Sequence, residues 1–373
     1  RLHIENILPV IEMALEESTK KEDCFGRSTS SQLKNKRPTT YSAAQSADRL
    51  ALRRHLQPID SIDYIAVCSG PGLMSSLLVG VETAKTLAWV YRKPLIKINH
   101  LEGHLLSVNG KTKKPKNEKT KELQAITYHL KFPAVGLIVS GGHTQIVLMK
   151  DYLKYKIIGQ TRDDAAGEAF DKAAKILGLG YPGGPAISAE AEKIQSTKHK
   201  ISAAQSCRQA ALRCQNKFKI KNLKFKINLP RPMINTADFD FSFSGLKTAI
   251  LYKWQALQKE LSPKELKQAR PVMANEIQNA IVDILVSKTI AAAKQFKAKT
   301  VILGGGVSAN DFLREYLNIS ISKYLPDVKF LFPGKEFSGD NAAMIGIAAY
   351  YHAKNKDFVD LFEVKVDPNW QLE

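Results

Sequence analysis

Three short apolar runs, residues 62–67, 134–139 and 301–303, each end at a turn carrying glycine. The first and last of them lead on to a helix-forming stretch. Short apolar runs bounded by glycine read as buried strands, and strands alternating with helices require a sheet covered by helices. The expected class is therefore α/β. Helices are expected over 1–18, where Ile4, Leu8, Ile11 and Leu15 form one stripe, and over 42–56, 73–91 and 165–177, with a strand over 94–98. Residues 134–139 and 144–149 read as a hairpin turning at Gly141-Gly142, and Tyr181-Pro182-Gly183-Gly184-Pro185 as the stop after helix 165–177. Ser262-Pro263-Lys264-Glu265 is a capping-box pattern with proline at the first helical position, so a helix starts there. Another helix, to about residue 317, follows the glycines after 301–303, and 339–351, rich in Ala and Gly, forms the last.

No run approaches the roughly 18–20 apolar residues of a membrane span, and no membrane partner is expected. No signal-peptide pattern is visible, and because the chain begins at Arg1 the question of a presequence stays open. Cys24, Cys68, Cys207 and Cys214 have no C-x-x-C spacing and read as free thiols in a reducing compartment. The net charge of +19 suits a polyanionic partner, and equally a basic compartment such as the mitochondrial matrix. Three polar insertions interrupt the pattern: 19–40; 109–131, with six lysines and one acid within 111–121; and 196–228, with nine Lys or Arg and no acid. Only Phe218 and Phe225 interleave with the last, too few for a stacking platform. It reads either as a solvated insert or as a phosphate-contacting one.

Several segments carry chemistry. His100-Leu101-Glu102-Gly103-His104 puts two imidazoles on one helical face, where they can converge on one divalent ion. The glycines of Ser140-Gly141-Gly142-His143-Thr144 can expose backbone N–H groups to an anion or make an ordinary tight turn. Val301-Ile302-Leu303-Gly304-Gly305-Gly306-Val307-Ser308-Ala309-Asn310 is a strand, three glycines and a helix start, either a place where a nucleotide can lie on the backbone and Asn310 can read it or a crowded strand–helix junction. Asp340 opens an apolar helix, either as its N-cap or as a third metal ligand. In Asp163-Asp164-Ala165-Ala166-Gly167-Glu168-Ala169-Phe170-Asp171-Lys172, Asp171 is either a ribose ligand or a surface carboxylate. Asp240-Phe241-Ser242-Phe243-Ser244-Gly245 alternates like a strand edge with one wet face.

In this order, the His pair, Ser140-Gly141-Gly142-His143-Thr144, the acidic segment 163–172, Tyr181-Pro182-Gly183-Gly184-Pro185, Phe241-Ser242-Phe243-Ser244-Gly245-Leu246-Lys247-Thr248, the triple glycine with Asn310, and Asp340-Asn341 make a specific joint pattern. It resembles the TsaD family of tRNA threonylcarbamoyltransferases, formerly called O-sialoglycoprotein endopeptidases. The resemblance implies an actin-like ATPase fold (the sugar kinase and heat-shock chaperone superfamily) with two lobes. The first would comprise 1–130, completed by 339–373, and the second 131–338. It implies transfer of a threonylcarbamoyl group from threonylcarbamoyl-AMP to the N6 amine of the adenosine 3′ of the anticodon, in tRNAs reading codons that begin with A. His100, His104 and Asp340 would hold one divalent metal ion, iron or zinc. Ile138, Val139, Ser140, Gly141 and Gly142 would cradle the substrate, Asp171 and Gly184 would contact the ribose, and Asn310 the nucleotide. No residue is assigned as general base.

Two departures stand out. The family opens with a strand and an Asp-Asp-Thr phosphate hairpin, whereas this sequence starts after that point. Archaeal relatives place a tyrosine ligand where Ile138 stands. The insertions and the basic charge resemble the single-chain mitochondrial branch, which implies a homodimer and a mitochondrial location, with the cytoplasm as the alternative. Three other readings compete. A zincin metalloprotease needs Glu directly after the first His, where this chain has Leu101. An actin-fold kinase or ATPase would not need the His pair. A non-catalytic tRNA-binding scaffold would need only the basic charge.

Overall fold

The computed structural model describes residues 62–113, 122–125, 130–195 and 227–373. The helices expected over 1–18 and 42–56, the insertion 19–40 and nearly all of 196–228 lie outside these residues. The chain divides into two compact units, Arg1–His100 with His352–Trp370, and Leu101–Tyr351 with Gln371–Glu373. No helix among the described residues is long and apolar enough to cross a membrane.

In the smaller unit, β1 (Ile65–Gly70) pairs in parallel with β2 (Leu95–Asn99), and α1 (Met74–Tyr91) connects them. Val81, Ala84 and Ala88 recur at helical spacing and pack with Leu95 and Val364. The helix ends at Arg92 in the left-handed region, its N–H directed at the carbonyls of Ala88 and Trp89. The first strand starts three residues later than expected, at Ile65.

The helix α2 (His100–Leu106) leads into the larger unit. A separate antiparallel pair, β3 (Gly110–Lys113) and β4 (Glu122–Ala125), follows. Five strands then build the main sheet: β5 (Ala134–Val139), β6 (Thr144–Asp151), β7 (Lys154–Gln160), β8 (Thr300–Gly304) and β9 (Lys329–Leu331), in the order β7-β6-β5-β8-β9. The pairs β5/β6 and β6/β7 are antiparallel, and β5/β8 and β8/β9 parallel. Every residue of β5 and β8 is buried, which is why both read as unbroken apolar runs rather than alternating ones. Its edge strand β7, not recognised from sequence, carries Lys154 and Lys156 on its exposed positions, charges that suit an edge.

The remaining helices are α3 (Ala166–Ile176), α4 (Gly183–Gln195), α5 (Ser244–Glu260), α6 (Pro263–Gln295), α7 (Asp311–Tyr324) and α8 (Ala342–Lys354). Tyr181-Pro182-Gly183-Gly184-Pro185 does more than stop a helix, because α4 begins inside it at Gly183. The capping box at Ser262 forms. Its hydroxyl accepts from Glu265 N, and the Glu265 carboxylate accepts from Ser262 N at 2.9 Å. Helix α6 is buried on all sides for much of its length, as a central core helix should be.

The alternating Phe-Ser segment is not a strand. It makes one bridge, Thr161 to Phe241, and then turns into α5. Phe241 and Phe243 are fully buried, while Ser242 and Ser244 turn to Asp163. That carboxylate accepts from Phe243 N at 2.7 Å, Ser242 Oγ at 2.5 Å and Ser244 Oγ at 2.8 Å, supplying α5 with a cap from another part of the chain. Partial burial opposes its ionisation. The hydrogen bonds from Phe243, Ser242 and Ser244 outweigh that and hold its pKa below the ordinary carboxylate value. A carboxyl whose pKa is depressed by folding stabilises the fold above its unfolded pKa, about 4, and loses that contribution as pH falls through the folded value. Asp163→Ala is therefore expected to cost about 1 kcal/mol at neutral pH, in the lower range for a cap because solvent screens the exposed group. In urea unfolding the gap between wild type and variant should narrow at about pH 3. An equal gap at both pH values would show that the charge contributes nothing.

Candidate active site

Strands β5 and β8 run side by side in parallel, so Ser140-Gly141-Gly142 after β5 and Gly304-Gly305-Gly306 at the end of β8 leave the sheet at the same edge. Helix α2 lies on this sheet. Its Leu105 Cδ2 stands 2.3 Å from where a Cβ on Gly136 would be, and the His104 carbonyl 2.6 Å from where one on Gly304 would be. A side chain at Gly304 would collide with the backbone of the helix. Gly305 is constrained twice. Its φ is +87°, and a Cβ there would lie 2.4 Å from the Val139 carbonyl. The triple glycine thus divides between a crowded strand–helix junction and open space where a nucleotide can lie. The first two serve packing, and only Gly306 has open space where a Cβ would stand.

Within α2, His100 and His104 are one turn apart on one face. One ligand atom each from His100, His104 and Asp340 lie within 4.8 Å of one another, and Asp340 Oδ1 is 3.2 Å from His104 Nε2. Ligands about 2.1 Å from a tetrahedral ion stand about 3.4 Å apart, so the spacing fits a single metal. Two imidazoles and one carboxylate suit zinc or iron better than the all-oxygen preference of calcium or magnesium. The cap reading of Asp340 is corrected by its neighbour. Asn341 Oδ1 accepts from Met344 N at 2.9 Å and so caps α8 itself. The position a zincin would fill with its glutamate holds Leu101, 1% exposed, and Glu102 instead accepts the Tyr155 hydroxyl at 2.7 Å.

The other expected site residues are placed as follows. Ile138 and Val139 are fully buried and can offer only backbone to a ligand. Ser140 is engaged inside its turn. Its N donates to the His143 carbonyl at 2.8 Å, its Oγ accepts from His143 N at 3.1 Å, and its carbonyl accepts from Gly167 N at 3.2 Å. Gly141 and Gly142 are exposed with open space around them. Thr144 Oγ1 accepts from Ala166 N at 2.8 Å, so the positive end of α3 is docked on this turn. Asp171 Oδ1 accepts from Gly183 N at 2.6 Å, beside Gly184 at the start of α4, and Asp171 borders a cavity of about 350 Å³ with Lys172, Lys175 and Tyr181. Asn310 Oδ1 caps α7 through Leu313 N at 2.9 Å, while its Nδ2 donates to Ser188 Oγ at 3.0 Å and Gln278 Oε1 at 3.4 Å.

One supporting residue carries no sequence signal. Arg314 donates to the Ser308 carbonyl, to the Pro333 carbonyl at 3.1 Å and to Ser338 Oγ at 3.0 Å, and lies over the Phe332 ring. It ties the turn after β8 to the loop that leads to Asp340.

Residues 49–347 match the profile of the family described as TsaD: tRNA N6-adenosine threonylcarbamoyltransferase. The chain is 43% identical over 293 residues to the tRNA N6-adenosine threonylcarbamoyltransferase of Thermosipho africanus (strain TCF52B), a match covering 78% of this chain and 73% of that one. With the enzyme of the same name from Syntrophomonas wolfei subsp. wolfei it shares 39% identity over 301 residues, covering 81% and 74%. A crystal structure of HypF from T. kodakarensis aligns with a TM-score of 0.43 at 12% identity, covering 83% of this chain and 44% of that one, a likeness too loose to add to the family match. The chain belongs to the TsaD family. Its mixed α/β architecture agrees with the actin-like ATPase fold expected from the sequence.

Substituting Gly304 with alanine sets a Cβ against the His104 carbonyl, and neither backbone can yield without moving the other. The expected cost is about 1–3 kcal/mol in stability, together with weaker divalent-metal binding, measured by urea unfolding and by metal titration. A variant as stable as wild type would mean that α2 sits farther from β8 than the structure has it.

Proposed function

We propose that this chain transfers the threonylcarbamoyl group from threonylcarbamoyl-AMP to the N6 amine of the adenosine 3′ of the anticodon, in tRNAs reading codons that begin with A. The product is N(6)-threonylcarbamoyladenosine. One iron or zinc ion is held by His100, His104 and Asp340. The observation that carries the reading is the convergence of these three side chains within 4.8 Å, in a chain of this family. Such an ion, when bound, polarises the group being transferred and offsets charge that develops on it.

The chain's own residues position the reactants. Gly141 and Gly142 offer backbone N–H groups that no Cβ shields, on a turn that Ser140 makes rigid and Ile138 and Val139 anchor in the core. Asp171 has one oxygen committed to Gly183 N, so its other oxygen meets the ribose, with Gly184 alongside. Asn310 reaches the nucleotide by exchanging its 3.4 Å bond to Gln278, the weakest it makes. The exocyclic amine of adenine is a poor nucleophile, so this orientation contributes as much as activation.

The test is incubation of the metal-loaded protein with threonylcarbamoyl-AMP and unmodified tRNA, followed by nucleoside mass spectrometry. The modified adenosine should appear, and His100→Ala and Asp340→Ala should each lower its formation by more than the roughly 10–100-fold that loss of an outer-shell partner costs. No product from the wild-type protein overturns the reading, and full activity in either variant removes that residue from the ligand set. A homodimer and a mitochondrial location extend the proposal, the latter supported by the net charge of +19. A monomeric mass by light scattering at full activity overturns the first, and recovery only from cytosol on fractionation overturns the second.

A further inference from the structure

Glu102 lies two residues from each histidine, about 200° around the helix from His100, whereas His104 is only about 40° from it. The acid therefore faces away from the imidazoles. It is 3% exposed, and its Oε1 accepts the Tyr155 hydroxyl from β7 at 2.7 Å. A carboxylate is rarely buried so fully without a defined partner, because its desolvation must be offset by hydrogen bonds. One partner comes from the sheet on which α2 rests. Tyr155 stands opposite Met149 of β6, on a strand distant in sequence from the helix. Helix α2 has only seven residues, too short to keep its orientation by its own hydrogen bonds. Its leucines hold it on the core by packing, which is non-directional and sets the rotation of so short a helix less finely than a directed bond does. A hydrogen bond is directional. The bond from Tyr155 to Glu102 is one that fixes which way the opposite face points.

We propose that Tyr155 is a positioning residue for the metal site, acting through Glu102 to fix the rotation of the two-histidine helix and so the convergence of His100 and His104 with Asp340. This rests on the reading that those three residues hold a metal. The phenol is kept protonated, and hence a donor, by burial and by the neighbouring carboxylate, which both raise its pKa.

The experiment uses the full chain and reads metal binding rather than turnover. Zn²⁺ is titrated in competition with a chromophoric chelator, against wild type, His100→Ala, Tyr155→Phe, Glu102→Gln, Glu102→Ala and the Tyr155→Phe/Glu102→Ala double variant, with a thermal melt of each metal-free protein. Wild type should bind one ion and His100→Ala far more weakly. If wild type binds none, or His100→Ala binds as well, the metal reading itself fails, separately from this one. Given that binding, Tyr155→Phe is expected to weaken zinc affinity about 10-fold, the lower end of what loss of an orienting partner costs. Glu102→Gln, which keeps an acceptor oxygen of the same shape, should stay within about 2-fold of wild type. The double variant should be no weaker than Glu102→Ala alone, since both remove one bond. Unchanged zinc affinity in Tyr155→Phe overturns the proposal, even with a lower melting temperature, because that result marks a purely structural bond. Equal losses in Glu102→Gln and Glu102→Ala overturn it as well, and this holds whether or not Tyr155→Phe folds.

Discussion

The close approach of α2 to β8 is the constraint on which the candidate site depends. A helix of seven residues is about 10 Å long and gains too little from its own hydrogen bonds to persist alone. It exists because Leu101, Leu105 and Leu106 are buried in the core, with no more than 1% of any of them exposed. Two missing side chains make that burial possible. Leu105 enters the space left at Gly136, and the His104 carbonyl sits over Gly304. Interiors are packed too densely for a helix wedged this way to slide or tilt without opening a void or a clash. The place of the helix that carries the two imidazoles is thus inherited from the core.

A second pattern concerns the short polar side chains around the site. Most of them are occupied with helix ends. Asn341 caps α8, Asn310 caps α7, Asp171 receives the first N–H of α4, and Asp163 serves α5 from a distance. Each helix N-terminus near the glycine turns would otherwise present unmet N–H groups. Asp340 differs from these residues because Asn341 takes the cap next to it, and its carboxylate turns to His104 instead. Adjacent residues of similar shape thereby take different work, one structural and one directed at the imidazole.

Much of this was legible in the sequence where a single local rule decides the outcome. The buried runs of β5 and β8, the hairpin at Gly141-Gly142 and the capping box at Ser262 each follow from a few neighbouring residues, and each formed where expected. The i, i+4 histidines also share a face for local reasons. Contacts between distant segments were not legible. Nothing near Asp163 announces that it caps a helix eighty residues away, and nothing near Arg314 announces that it braces the loop before Asp340. The glycines at 304–306 were ambiguous in principle. A missing side chain looks the same in a sequence whether a ligand or a neighbouring helix fills its place, and here a helix and a strand fill two of the three. Strand β7 was missed because its lysines blur the apolar alternation, a property edge strands need and central strands lack.

The proposed ligand set is asymmetric in a way that bears on how reactants approach. The His104 side chain is fully buried, whereas that of Asp340 is 76% exposed. A buried imidazole on a wedged helix has almost no freedom, so it would fix where an ion sits. An exposed carboxylate on a loop can adjust its distance and could bind through one oxygen or two. Three protein ligands leave at least one position open on zinc or iron. The helix and sheet bury the His104 side chain, so the exposed side of the ligand set is that of Asp340. An acyl-adenylate and a tRNA base are both too large to enter from beneath the helix. Under the proposed reaction both would arrive past Asp340, whose exposure suits a site open to reactants better than a structural ion, whose ligands would close around it.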